Sequence, residues 1–246
     1  MIENRQVREQ KWHDRIARGR DTRGGYFYRW GLSERSKQYA YQQLDDLDCK
    51  RVLDMGCGEG ETLLRMGRDG AEVVGIDISG EMVRMANKAA QRIGLSNVQA
   101  LEMPAEQLDF PDASFDVVYG VSIIHHLEIE PAAREIARVL KPGGRAVFIE
   151  PLNYNPVINL FRLITPWRRT PDEKPLDVQD LAMLSRPFSE IQRSNFGLTS
   201  LLAIFIPIKP VFTSILHILE SLDDQLLSRW PRLGKYCWIT VVTLIK

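Results

Sequence analysis

Apolar and polar positions change their rhythm sharply near residue 50. Residues 1 to 50 are mostly polar, read as helical segments, and hold an aromatic cluster at Tyr26, Phe27, Tyr28 and Trp30. From Arg51 onward, short apolar runs alternate with amphipathic stretches, the pattern of β-α-β units around a parallel sheet. Strands are expected at Arg51–Met55, Glu72–Asp77, Val98–Glu102, Phe115–Gly120 and Arg145–Pro151. Helices are expected at Glu61–Arg68, Gly80–Ile93 and Pro131–Leu140. Lys141-Pro142-Gly143-Gly144 ends the last helix by removing a backbone donor and then allowing positive φ.

The regular pattern stops at Leu152. Residues 152–193 are rich in Pro, Arg and aromatics without a clean period, and are expected as an insertion over the carboxyl edge of the sheet. Residues 196–206 suit either a strand or a helix. From Val211 the apolar positions Ile215, Ile218, Leu222 and Leu226 recur every three or four residues, which favours a helix. The β-branched run 237–245 reads as a final buried strand. The expected organisation is therefore an N-terminal helical segment or cap (1–50), an α/β core (51–151), an insertion or cap (152–193), and closing strands (194–246) interrupted by a helical insertion (207–230).

Composition narrows the partners. Lys+Arg and Asp+Glu both number 32, giving zero formal net charge over 246 residues. Such a chain has no global field to draw in a nucleic acid, so a small molecule is the expected partner. Cys49, Cys57 and Cys237 show no metal-ligand spacing and leave an odd thiol in any pairing. That argues against a disulfide framework, fits a reducing cytosol, and gives no expectation of a metal site. The polar N-terminus carries no signal-peptide pattern. The most apolar stretch, Leu198 to Leu219, is broken by Pro207, Lys209, Pro210 and His217, so no membrane span is expected.

The most informative segment is Val52-Leu53-Asp54-Met55-Gly56-Cys57-Gly58-Glu59-Gly60. An apolar strand ends in an acid, and three alternate glycines precede a helix. Glycines let the backbone turn tightly and approach a ligand, and the helix start offers free amides to a negative group. A dinucleotide fingerprint would place its third glycine or alanine at position 61, where Glu61 stands. Val73-Val74-Gly75-Ile76-Asp77-Ile78 adds a second strand ending in a carboxylate able to accept from ribose hydroxyls.

With Phe110-Pro111-Asp112-Ala113-Ser114-Phe115-Asp116 and Glu135 to Gly144 in the expected order, residues 51–150 resemble the class I S-adenosylmethionine-dependent methyltransferases. The resemblance implies a Rossmann-like, doubly wound, mostly parallel seven-stranded sheet with helical insertions, and S-adenosyl-L-methionine as donor. It places Asp54, Gly56, Cys57, Gly58, Gly60, Asp77, Ile78, Ala105, Glu106 and Val121 around that donor. Cys57 enters as a small loop residue, since a nucleophilic thiol needs a neighbouring base. Where the family carries Asp-Ala against the adenine, this chain has Pro104-Ala105; the Ala105 amide remains, and Glu102 or Glu106 is the candidate carboxylate.

In this family the loop after the fourth strand lies beside the donor methyl. His125 and His126 stand there, as candidate bases or as loop-orienting groups, with His126 the better base candidate. Tyr154, Phe161, Trp167, Phe188, Phe196, Phe205 and Phe212 are expected to cover an apolar acceptor, such as a quinone, polyketide, prenyl or lipid-like molecule, or to form the cap's own core. The 207–230 helix is expected as a lid on the same acceptor, with a homodimer or peripheral membrane contact as alternatives for its apolar face. Arg162, Arg168, Arg169, Lys174 and Arg186 are expected mainly as a solvated cap surface. The different-class alternative is a silent ligand-binding relative; a nicotinamide oxidoreductase is disfavoured by the glycine spacing.

Overall fold

The structure is a computed structural model that describes residues 2–19, 30–165 and 173–246. Tyr26, Phe27, Tyr28, Trp167, Arg168 and Arg169, singled out above, lie outside the described residues. A polar helix, α1 (Ile2–Gly19), comes first, followed by α2 (Glu34–Gln42). The core then alternates β1 (Arg51–Met55), α3 (Glu61–Arg68), β2 (Glu72–Asp77), α4 (Gly80–Arg92), β3 (Val98–Glu102), β4 (Phe115–Val121), α5 (Ile129–Val139) and β5 (Leu140–Pro151). After it come α6 (Pro156–Ile164), α7 (Val178–Ser185), β6 (Glu190–Phe196), α8 (Lys209–Arg229) and β7 (Ile239–Ile245).

The seven strands form one sheet in the order β3-β2-β1-β4-β5-β7-β6. β1 through β5 run parallel, and β7 inserts antiparallel between β5 and β6. Crossover helices cover both faces, so central strands carry apolar side chains on both sides. Val52, Val73, Val117, Val147 and Val241 pack under α2, α3, α4, α6 and α8. Leu53, Val74, Val118, Phe148 and Val242 pack under α5 and α7. The order reverses direction between β1 and β4, and a crevice opens there at the carboxyl ends of the strands, the usual ligand position in such sheets.

The C-terminal third departs from its expected layout. β6 lies partly inside 152–193, and residues 196–206 become a short 3-10 turn at Ser200–Phe205 rather than a strand or long helix. α8 occupies the expected place between the last two strands, but its buried residues are Phe212, Leu216 and Asp223. Val211, Ile218 and Leu222, expected on the covering face, are exposed. Asp223 explains the rotation. Its carboxylate accepts from the Leu198, Thr199 and Ser200 amides and from both hydroxyls of Thr199 and Ser200 at 2.6–3.2 Å, which turns an acidic position inward. Among the described residues, no helix is long and apolar enough to cross a membrane.

Candidate functional site

The glycine loop follows directly from β1. The Gly56 and Cys57 amides donate to the Ile76 carbonyl at 2.8 and 3.0 Å, pinning the loop to β2. Gly60 has φ of +91°, and a Cβ there would stand 3.0 Å from the Ala86 Cβ, so only glycine lets the loop lie against α4. Gly58 is also left-handed, with nothing within 4 Å of where its Cβ would point, and its amide donates to the Asp77 carboxylate at 3.0 Å.

Asp54 sits beneath this loop and does not line the cavity. It is 2% exposed and its Oδ2 has no hydrogen-bond partner among the described residues. Burial, with the nearby Asp77 charge, pushes its carboxyl up to about 7, and only the Leu63 amide in the first turn of α3 pulls the other way. Asp54 thus sits near the start of a helix whose N-cap, Gly60, has no side chain. Burial likewise pushes the Cys57 thiol up, which leaves it inert and consistent with a loop-packing role. Asp77 is raised by burial too, against the pull of the Ser79 amide, His13 and the Gly58 amide.

The second wall comes from the end of β4. Ser122 holds a left-handed φ of +55°, uncommon for a residue with a side chain, and its amide donates to the Ile149 carbonyl at 2.8 Å. Fully buried Glu150, near the end of β5, organises the turn that follows. It accepts from the Ile123 and Ile124 amides at 2.9 and 2.7 Å, and its other oxygen lies 2.7 Å from His125 Nδ1. His125 is therefore turned into the protein and does not line the cavity. His126, one residue on, does. Its ring is mostly buried; burial pushes its imidazolium down toward the neutral form, with Glu9 opposing and His125 reinforcing that shift.

The polar N-terminus supplies the cover. α1 lies across the crevice, and Arg5, Gln6, Glu9 and His13 line the cavity. Arg5 and Gln6 both donate to Glu106, Gln10 to Glu102 at 2.9 Å, and Ser79 Oγ meets Asp14 at 2.5 Å. Glu9 Oε2 lies 3.3 Å from His126 Nδ1 and 3.6 Å from His13 Nε2. The cavity measures about 310 Å³, at the small end for a small-molecule site.

The structure brings Gly56, Gly58, Asp77, Ile78, Ala105, Glu106, Val121 and His126 to this one cavity, while Asp54, Cys57, Gly60 and His125 stand behind it. Glu106 is not free for an adenine edge in this arrangement, because Arg5, Gln6 and the Glu128 amide already occupy its oxygens. None of the described aromatics expected over the acceptor lines the cavity, and neither does α8. The lid expected from 207–230 is thus corrected: the cover is α1. Sequence reading missed Arg5, Gln6, Glu9 and His13 because a polar amphipathic face looks like a solvated one. The i, i+4 pair Glu9 and His13 was the available signal.

Comparison with known proteins agrees with this geometry. Residues 53–148 match the family model described as a methyltransferase domain. An uncharacterised methyltransferase, YcgJ, from Bacillus subtilis is 42% identical over 101 residues, 41% of this chain and 40% of that one. A ubiquinone biosynthesis O-methyltransferase from Alkalilimnicola ehrlichii is 35% identical over 128 residues, 51% of each chain. The aligned segments thus span about half or less of these relatives. The crystal structure of YcgJ superposes with a TM-score of 0.59 at 26% identity, covering 87% of this chain and 98% of that one. Phosphoethanolamine N-methyltransferase 2 from Haemonchus contortus, solved with S-adenosyl-L-methionine, shares the fold at a TM-score of 0.63 and 16% identity, covering 86% of this chain and 52% of that one. Glycine loop, acidic strand ends, sheet order and relatives converge: residues 53–148 form a methyltransferase domain of the class I S-adenosylmethionine-dependent type.

Proposed function

We propose that this chain transfers the methyl group of S-adenosyl-L-methionine to an apolar small molecule of quinone, polyketide, prenyl or lipid-like type. The observation that carries the proposal is a single cavity lined by two kinds of group. Gly56, Gly58 and Asp77 suit the amino-acid and ribose parts of the donor, and His126 lines the same cavity. The ubiquinone-pathway relative supports a ring-bearing acceptor, and the three free thiols Cys49, Cys57 and Cys237 support a reducing compartment.

In such a transfer the sulfur–carbon bond breaks as the new methyl bond forms in line, sulfur leaves as a thioether, and the acceptor gives up its proton. The protein's main contribution is alignment and the exclusion of water. His126 is the side chain placed to act on that proton; His125, held by Glu150, sets the turn that presents it. Incubation with labelled donor and a host metabolite extract, read by mass spectrometry, tests the activity. Label in an apolar product is expected; stoichiometric donor binding with no label transferred would make the chain a silent binder. His126→Ala is expected to lower turnover about 10²–10⁴-fold while leaving donor affinity largely intact.

A further inference from the structure

Three side chains in the cavity wall meet in a way the transfer reaction does not require. Glu9 and His13 project from successive turns of α1, and His126 comes from the turn after β4. The distances between Glu9 Oε2 and the two ring nitrogens are 3.3 Å to His126 Nδ1 and 3.6 Å to His13 Nε2. All three atoms lie within 4.8 Å of one another. His126 Nδ1 is buried, points into this cluster, and has no hydrogen-bond partner among the described residues.

We infer that Glu9, His13 and His126 form a binding site for one divalent transition-metal ion in the wall of the cavity. Ligands bonded tetrahedrally to a common ion at about 2.0–2.2 Å stand about 3.3–3.6 Å apart, the range of the two shorter separations here. Two imidazoles and one carboxylate suit zinc, cobalt, nickel or iron(II), whereas magnesium and calcium favour all-oxygen sets. The chain supplies three ligands, which leaves at least one coordination position open to water or substrate. A neighbouring set, His125, His126 and Glu173, is weaker, since His125 Nδ1 already faces Glu150 and His125 does not line the cavity.

The site deepens the proposed function and rests on it for its chemistry. An acceptor oxygen bound at the open position would lose its proton to solvent more readily, then take the methyl as an oxyanion held by the ion. His126 then acts on the acceptor's proton as a ligand of that ion. This narrows the acceptor class to a phenol, enol or catechol-like oxygen within an apolar molecule. Because two ligands come from α1 and one from the core, the ion would also fasten the cover shut.

The test uses the whole chain and Co²⁺ or Zn²⁺ as the probe. Equilibrium dialysis with metal analysis should find one ion per chain, and Co²⁺ should acquire the visible absorption of a low-coordinate nitrogen–oxygen site. His13→Ala, at a partly exposed position, and His126→Ala should each weaken binding by more than about tenfold. S-adenosylhomocysteine titration of the same samples reports separately on donor binding and on folding. Product-analogue binding without stoichiometric metal, or metal binding unchanged in both variants, would overturn the metal site and leave the donor site standing. Metal binding that is lost in the variants, in a chain that does not bind S-adenosylhomocysteine, would support the ion and defeat the donor reading.

Discussion

The floor of the cavity and its cover are made of opposite materials. Leu53, Met55 and Ile76 beneath the glycine loop are fully buried, and the loop itself hangs on backbone hydrogen bonds to β2. α1 contributes no described residue to either apolar cluster. It is held by side-chain contacts to Glu106, Glu102, Ser79 and His126. Apolar burial scales with area and is hard to remove piecemeal, whereas part-exposed polar contacts each contribute little and exchange with water. The difference teaches where opening should occur: ligands enter by local release of α1 while the sheet stays folded.

The largest expected effect concerns the floor. Asp54 is neutral in folded and unfolded chains at low pH. Between pH about 4 and 7 the unfolded carboxylate ionises while the folded one keeps its proton, so stability falls across that window and levels off above it. For a carboxyl moved from 3.8 to about 7 the loss is of order 4 kcal/mol. Relative to wild type, Asp54→Asn should therefore gain stability as pH rises from 4 to 8, measured by urea unfolding. An unchanged difference across that range would show that Asp54 titrates normally and that the floor is wetter than its burial indicates.

Gly60→Val should come next. A β-branched side chain at φ of +91°, pressed against Ala86, is expected to cost about 2–3 kcal/mol in global stability and to abolish S-adenosylhomocysteine binding. The smallest effect belongs to the cover. Arg5→Ala removes one partner of Glu106 and should leave the global melting midpoint almost unmoved, with a local cost of about 1 kcal/mol or less. Limited proteolysis within residues 2–19 should nevertheless speed up several-fold. A fall in midpoint comparable to that of Gly60→Val would erase the distinction between the two regions.

Legibility in the sequence follows the same division. β1 and β2 have the boundaries their sequence predicts, because buried parallel strands are short apolar runs that reach an Asp where the sheet edge meets water; the edge strand β3 also keeps its boundaries, set by its place between α4 and the Glu102 that ends it. Gly58, Asp77 and the His126 turn were legible for the same reason. β6 was not, since an edge strand carries polar residues such as Gln192 and Arg193 and loses the alternation that betrays a half-buried one. The face α8 buries was hidden by Asp223, whose amide partners lie about 25 residues upstream. The Glu9–His13–His126 meeting was hidden by a separation of more than 110 residues, and only His126 stood out in the sequence.

The position of β7 has a consequence for how the molecule is made. This strand lies between β5 and β6 and exchanges hydrogen bonds with both along residues 239–245. Until it arrives, β6 has no neighbour and β5 keeps an open edge that invites pairing with another chain. A nascent polypeptide can close the β1-to-β5 half as it emerges, yet cannot complete the sheet before residue 245 is released. Long-range pairing of this kind is slow and exposed to aggregation. Expression yield should thus depend less on the donor site than on how quickly this one segment finds its slot.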